Sequence, residues 1–379
     1  MKILYLVNCS DFFCSHFLPL AIAAKNKGYD VVVAAGNSNQ QKRIESLGLS
    51  FVEYRLSRSG KSILTEVKSF FDIFKLIGKI KPDLLHMLTI KPILYGCIAD
   101  KIRFKNGVSR LVASITGLGS SSLSTRPADK CLWYFIQCAY KLSFISNKAN
   151  VVFENVDDMK QFSDLKLVPQ SRCFLVNGAG VDTEKFSPSV EKNDELSVIL
   201  VARLLKDKGI REYIEAGKII KELKVPIRLL LAGSVDHNNP SSMSADEIQA
   251  AHDNGYIEYL GFRTDVADLY QHSHVACLPS YREGLPKSLI EAASCGLPIV
   301  TTDVPGCRQL VASQQNGFLI PPRDSNALAE CLIHLHHNKD LLDDMGKASR
   351  ILAERKFGYD QVLASFFEIY NSAGDFRNE

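Results

Sequence analysis

The chain has 379 residues, long for one core and suited to two domains of ordinary size, and its 46% apolar and 23% charged residues exclude a disordered, collagenous or fibrous protein. The net charge of +3 conceals an asymmetry: residues 1–180 carry 24 Lys and Arg against 13 Asp and Glu, net +11, while the remainder carries 21 against 29, net −8. A basic half joined to an acidic half suggests that the first meets something anionic, whether nucleic acid, a lipid surface or a phosphorylated small molecule.

In chain order, short β-branched runs alternate with helical patterns. "KILYLV" precedes a helix at about 16–27, "DVVVAAG" one at about 39–47, and "SFVEYRL" one at about 61–80. "DLLHML" precedes a helix at about 92–103, "SRLVASITG" one at about 128–146, and "NVVFEN" one at about 155–163; "CFLVNGAG" ends this half. A polar stretch, "SPSVEKNDEL" (187–196), reads as a linker. The alternation then restarts. "SVILVARL" leads to a helix at about 209–223, "IRLLLAG" to one at about 244–253, and "IEYLG" to one at about 264–271. "HVACLPS", "PIVTTD" and "FLIPP" follow, with helices at about 324–336 and 339–354 and a closing helix from Tyr359 to about Ser372.

Strand–helix alternation of this kind predicts parallel sheets covered on both faces. The fold class is α/β, with two Rossmann-like doubly wound domains facing a cleft: 1–186, a linker at 187–196, and 197–356. Ligands of such folds bind outside the carboxyl ends of the strands. The longest apolar runs fall short of the roughly 18 residues of a spanning helix. The apolar run of the first strand is too short for a secretory signal. The ten cysteines form no C-x-x-C pair and read as reduced thiols of a cytosolic protein, with Cys131, Cys138, Cys277 and Cys295 in apolar surroundings.

Two post-strand loops in the second half carry chemistry. In "VARLLKDKG" (201–209), Arg203 and Lys208 precede a helix N-terminus, a natural site for a pyrophosphate. In "YREGLPKSLIEAASCG" (281–296), Glu283 precedes and Glu291 lies within a helix that opens at or near Pro286 and stops at Gly296. A carboxylate beside an anion site suits sugar hydroxyls, because an ionised carboxylate only accepts hydrogen bonds. "GLGSSS" (117–122) misses the dinucleotide fingerprint, with Ser122 in place of the third glycine, and no P-loop or D-x-D occurs.

Together, "VARLLKDKG", "LLLAG", "YIEYLGFRTDV", "LPSYREGLPKSLIEAASCGLPIVTTDVPG" and "NGFLIPPRD" resemble the donor domain of retaining, family-4-type glycosyltransferases of the GT-B fold. More loosely, "FFCSHFLPLAIAAKNKGYDVVVAAG", "DLLHMLTIKPILYG", "ITGLG", "VVFENVDD" and "NGAGVDTEKFSP" resemble the acceptor domain of a bacterial polysaccharide and lipid-linked-oligosaccharide subgroup. The resemblance implies that Arg203 and Lys208 hold the donor diphosphate and stabilise it as leaving group. Glu283 takes donor-sugar hydroxyls, and the backbone of Gly284, Leu285 and Pro286, with Lys287, lines the sugar and phosphates. Glu291 takes the ribose, and Phe262 and Arg263 border a uracil. On the acceptor side it implies Ser15, His16, His86, Lys91, Thr116 and Gly117. The segment 357–379 packs back on the first domain. Lys and Arg do a metal's electrostatic work, so neither metal nor other cofactor is expected.

Two positions depart from the pattern. Many relatives have a histidine at or near Thr116, and a glutamate where this chain has Gln309.

The resemblance implies transfer of a sugar, GalNAc, GlcNAc or a hexose, from a UDP-sugar to a lipid-diphosphate-linked saccharide at the cytosolic face of a bacterial inner membrane, with no nucleic acid as partner. Two stretches of the basic half suit an anionic membrane surface. In 61–81, Ile63, Val67, Phe70, Phe74 and Ile77 form one face and Lys61, Lys68 and Lys75 another; 126–149 is aromatic with basic flanks. Core packing is the competing reading of both stretches. The competing functions are a nucleotide-sugar epimerase of the same fold and a non-catalytic sugar-nucleotide-binding protein.

Overall fold

A computed structural model describes residues 1–56, 63–103, 107–118, 127–145, 148–189, 195–236, 239–312 and 314–373. The remainder includes Lys61, Arg126, residues 119–122 of "GLGSSS", the centre of the expected linker (190–194) and the end of the closing segment (374–379). Those expectations lie outside the described residues.

The chain forms two compact units, residues 1–179 with 362–379 and residues 180–361. In the first, β1 (Lys2–Val7), β2 (Asp30–Ala35), β3 (Ser50–Glu53), β4 (Leu84–Leu88), β5 (Arg110–Ile115), β6 (Asn150–Phe153) and β7 (Cys173–Leu175) form one parallel sheet in the order β3-β2-β1-β4-β5-β6-β7. The strands are apolar on both faces, as a doubly covered parallel sheet requires. Leu4 and Leu6 of β1 enter one core with Leu85 and Met87; Ile3, Tyr5 and Val7 enter the other with Leu84 and Leu88. The second core also takes Val362, Phe366, Ile369 and Tyr370 from the last helix, Tyr359–Ser372.

The helix expected at 16–27 is two helices, Ser10–His16 and Leu18–Asn26. Pro19 has no N–H for a continuous helix and its ring crowds the preceding turn, so the chain breaks at Phe17. The Ile63–Ile80 helix buries Ile73, Leu76 and Ile77 and packs Phe70 and Phe74 against the core, while Leu64, Val67 and Phe71 stay exposed. Pro127–Ile145 divides the same way. Tyr140 and Phe144 are buried, whereas Leu132, Tyr134, Phe135, Leu142 and Ile145 face outward. Cys131 and Cys138 lie on its exposed side, which corrects their expected apolar surroundings; Cys277 and Cys295 are buried. Among the described residues no helix is long and apolar enough to cross a membrane.

In the second unit, β8 (Leu196–Val201), β9 (Ile227–Ala232), β10 (Glu258–Gly261), β11 (Val275–Leu278), β12 (Ile299–Thr302) and β13 (Gly317–Ile320) form a parallel sheet in the order β10-β9-β8-β11-β12-β13. The winding reverses between β8 and β11, as it does between β1 and β4. The unit begins at Gly180, ahead of the expected linker. The reason is local: Arg350 Nη1 donates to the carbonyls of Thr183, Phe186 and Ser294, and Ser294 Oγ donates to Phe186 O, binding residues 183–186 to this unit. Val181 pairs with Gly358, so the segments entering and leaving the unit lie side by side.

Candidate active site

The β8/β11 switch point places two loops together at the carboxyl edge of the second sheet. Gly209 ends the loop after β8 at φ 72°, and a Cβ there would lie 2.1 Å from Pro279 O, so only glycine lets this backbone touch the loop after β11. Tyr281 N–H donates to Asp207 O at 2.9 Å and its hydroxyl to Glu212 Oε1 at 2.6 Å. The loop after β12 closes the other side. Glu283 N–H donates to Pro305 O at 3.2 Å, and a Cβ on Gly306 would lie 2.4 Å from Gly284 O.

These backbone locks fix two side chains. Lys208 Nζ lies 2.5 Å from Glu283 Oε1, with both side chains largely withdrawn from solvent. The next helix starts at Lys287, in keeping with an opening at or near Pro286; Pro286 is its cap residue and provides no side-chain cap bond. Its first amides therefore stand free for an anion beside Lys208. Leu285 packs into the core of this unit. One turn into the helix, Glu291 pairs with Lys287 at 3.0 Å. Arg203, 62% exposed, reaches Asp236 at 3.3 Å.

Beneath the pair lies Cys307, fully buried; burial and the Glu283 carboxylate push its thiol up to about 12. Gln309, two residues on, has a buried amide nitrogen without a partner among the described residues. Phe262 follows β10 and is 72% exposed. Arg263 beside it clamps Asp265 through two nitrogens, which holds that carboxyl at about 2. β10 stands three strand positions from β11, about 14 Å across the edge.

The structure thus brings Arg203, Lys208, Glu283, Gly284, Leu285, Pro286, Lys287 and Glu291 into one neighbourhood and sets Phe262 and Arg263 at its flank. Two groups escaped sequence reasoning. Asp236 meets Arg203 across 33 residues and belongs to no local pattern. Ser280 donates to Glu283 Oε1 at 2.6 Å, and its spacing of three residues was the available signal.

In the first unit, Ser15 Oγ and His16 Nδ1 are 2.6 Å apart, and His16 stacks on Phe12. Lys91 pairs with Glu66 at 2.7 Å, and Tyr95 donates to the same carboxylate. Thr116 and Gly117 directly follow β5. His86 is corrected: it lies within β4, wholly buried, between Tyr370 OH and Ser114 Oγ, each 2.7 Å away. Burial pushes its pKa down to about 3, so it is a neutral core group out of reach of an acceptor. Among the described residues no three His, Cys, Asp or Glu side chains gather as metal ligands.

Comparison with known proteins agrees with this geometry. The family described as "Glycosyl transferases group 1" matches residues 181–351, and "Glycosyl transferase 4-like" matches residues 2–155. The chain is 25% identical to the N,N'-diacetylbacillosaminyl-diphospho-undecaprenol alpha-1,3-N-acetylgalactosaminyltransferase of Campylobacter jejuni, covering 94% of this chain and 95% of that one. It is 26% identical to the UDP-Gal:alpha-D-GlcNAc-diphosphoundecaprenol alpha-1,3-galactosyltransferase of Escherichia coli, covering 76% and 75%. Anabaena HepE, solved in complex with UDP, shares the fold at a TM-score of 0.78 with 17% identity, over 98% of this chain and 100% of that one. Two parallel doubly wound units, the Lys208–Glu283 edge and matches over both halves of the chain make this protein a glycosyltransferase of the family-4 type with the GT-B fold.

Proposed function

We propose that the protein transfers a hexose or N-acetylhexosamine from a UDP-sugar to a lipid-diphosphate-linked saccharide, with retention at the anomeric carbon. The second unit binds the donor and the first the acceptor. The observation that carries the reading is the Lys208–Glu283 pair beside an uncapped helix N-terminus. As the glycosidic bond to the diphosphate breaks, negative charge grows on the leaving oxygens. Lys208, Arg203 and the amides of Lys287 and Ser288 meet that charge, and groups already in place need no reorganisation. Glu283 accepts from donor-sugar hydroxyls and Glu291 from the ribose diol. Phe262 offers an apolar face to the uracil. The departing phosphate takes the acceptor proton, so the chain supplies no separate base. The cations do the work a divalent ion does elsewhere, and turnover therefore survives EDTA.

The names of the Campylobacter jejuni and Escherichia coli relatives support an undecaprenyl-diphosphate acceptor. Leu64, Val67 and Phe71, and Leu132, Tyr134, Phe135, Leu142 and Ile145, are exposed on helices that also carry the exposed Lys68, Lys75, Lys130 and Lys141. Such surfaces suit peripheral attachment at the cytosolic leaflet, where each lysine contributes about 1 kcal/mol. A turnover screen of UDP- and GDP-sugars with a lipid-diphosphate acceptor tests the function, with the product's anomeric configuration read by NMR. Donor consumption independent of acceptor would reject it. Flotation with phosphatidylglycerol vesicles tests the attachment, and protein left wholly at the bottom of the gradient would reject that.

A further inference from the structure

Glu283 is gripped through one oxygen only. Lys208 Nζ and Ser280 Oγ both approach Oε1, at 2.5 and 2.6 Å, and no described residue bonds Oε2. The last torsion of a glutamate is broad and roughly two-fold, so a carboxylate held by charge alone exchanges its oxygens. Lys208 cannot prevent this, because an ammonium is a point charge on a flexible stem. It is also claimed twice in the function proposed above, by Glu283 and by the leaving diphosphate. Ser280 has no such freedom. It is wholly buried, Thr302 Oγ1 donates to its carbonyl, and the adjoining Tyr281 N–H is fixed on Asp207 O.

We propose that Ser280 is a positioning residue: it commits Oε1 of Glu283 to the protein and presents Oε2 to the donor sugar. The proposal rests on the reading of Glu283 as the donor-sugar carboxylate. When the diphosphate draws Lys208 away as charge develops, the Ser280 hydroxyl keeps the carboxylate in register. Its contribution therefore falls on the bond-breaking step and not on nucleotide binding.

The test assays S280A and S280T beside E283Q in the full chain, with the UDP-sugar substrate and its monodeoxy analogues. UDP affinity and thermal unfolding are measured in parallel. A hydrogen bond to a charged group sets the scale, so S280A should lower kcat about 10- to 100-fold while donor KM and UDP affinity change less than about twofold. S280T, which keeps the hydroxyl, should recover most of the rate. With the analogue lacking the hydroxyl that Glu283 receives, S280A should cost nothing further. S280A with unchanged kcat beside an inactive E283Q overturns the role of Ser280. So does a uniform loss of stability and UDP affinity without a split between kcat and KM. An E283Q enzyme with unchanged turnover overturns the underlying reading of Glu283 instead.

Discussion

The two sheets share a winding order but use polar groups differently. In the second unit, the loops after β8, β11 and β12 are pressed backbone to backbone, and charged side chains pair along this edge: Lys208 with Glu283, Lys287 with Glu291 on the following helix, and Arg203 with Asp236 from the loop after β9. In the first unit, one buried polar cluster is neutral and lies inside the sheet. Tyr5, His86, Ser114 and Tyr370 form one hydrogen-bonded chain that joins β1, β4 and β5 to the last helix. Charge pairs at a partly wet edge can exchange partners with an arriving anion. A neutral buried chain cannot exchange anything and specifies packing. One arrangement is built to be disturbed by a ligand, the other to resist disturbance.

The difference breaks most sharply at Glu283. E283Q keeps the shape but loses the charge that pairs with Lys208 and that, in the proposed reaction, receives sugar hydroxyls. Turnover should fall at least about 100-fold, with thermal unfolding shifted only slightly. Steady-state rates and a melting curve of the same preparation decide it, and a rate within tenfold of the parent would remove Glu283 from the chemistry.

The backbone locks come next. In G209A, a Cβ meets Pro279 O in a left-handed conformation. Left-handed strain and overpacking together should cost about 2–4 kcal/mol of stability. Activity should fall with it, because Lys208 is the neighbouring residue. Urea unfolding of the two proteins measures the loss, and an unchanged midpoint would mean that the two loops can part without cost.

His86 offers the complementary test in the first unit. Its folded pKa is depressed to about 3 against about 6.5 when exposed, so the unfolded chain binds more protons between those values. The stability contributed by the neutral ring is complete above about pH 6.5. It is lost as pH falls toward 3, at up to about 1.4 kcal/mol per pH unit. H86Q keeps hydrogen-bonding capacity without titrating. Urea titrations from pH 7 to 4 should show the wild-type curve falling more steeply than that of H86Q. H86Q should cost about 1–3 kcal/mol at pH 7 through imperfect partners for Tyr370 and Ser114. Parallel pH curves for the two proteins would contradict the buried neutral ring.

His86 also marks where the sequence stops being legible. The parallel sheets were readable because doubly covered strands are apolar throughout, and the Glu283–Glu291 segment was readable because its parts lie within one loop and helix. His86 was expected on the acceptor side. Its partner Tyr370 is 284 residues away, and nothing local announces that the last helix supplies a hydroxyl to β4. Its place among Leu84, Leu85, Met87 and Leu88 was the readable hint of burial. Cys131 and Cys138 misled for the opposite reason. A helix with aromatics around its whole circumference hides which face is outward, so apolar neighbours in sequence were not apolar surroundings in space. Asp236 was invisible because exposed ion pairs leave no pattern when the partners belong to loops of different strands.

Asp236 gives the smallest effect and the finest test of the contrast. Its carboxylate is paired with Arg203, so under the proposed donor-binding role of Arg203 an incoming diphosphate displaces one anion to bind as another. Arg203 is 62% exposed, and a pair this wet is worth at most about 1 kcal/mol. D236N removes the competing charge and keeps the side chain's size. UDP should then bind about two- to fivefold more tightly, and the gain should shrink at 0.5 M salt, where surface charges are screened within a few ångströms. Calorimetric titration at two salt concentrations reads both numbers. Weaker UDP binding in D236N would show instead that Asp236 orders Arg203 for the phosphate, and the edge would then be preassembled and not exchangeable.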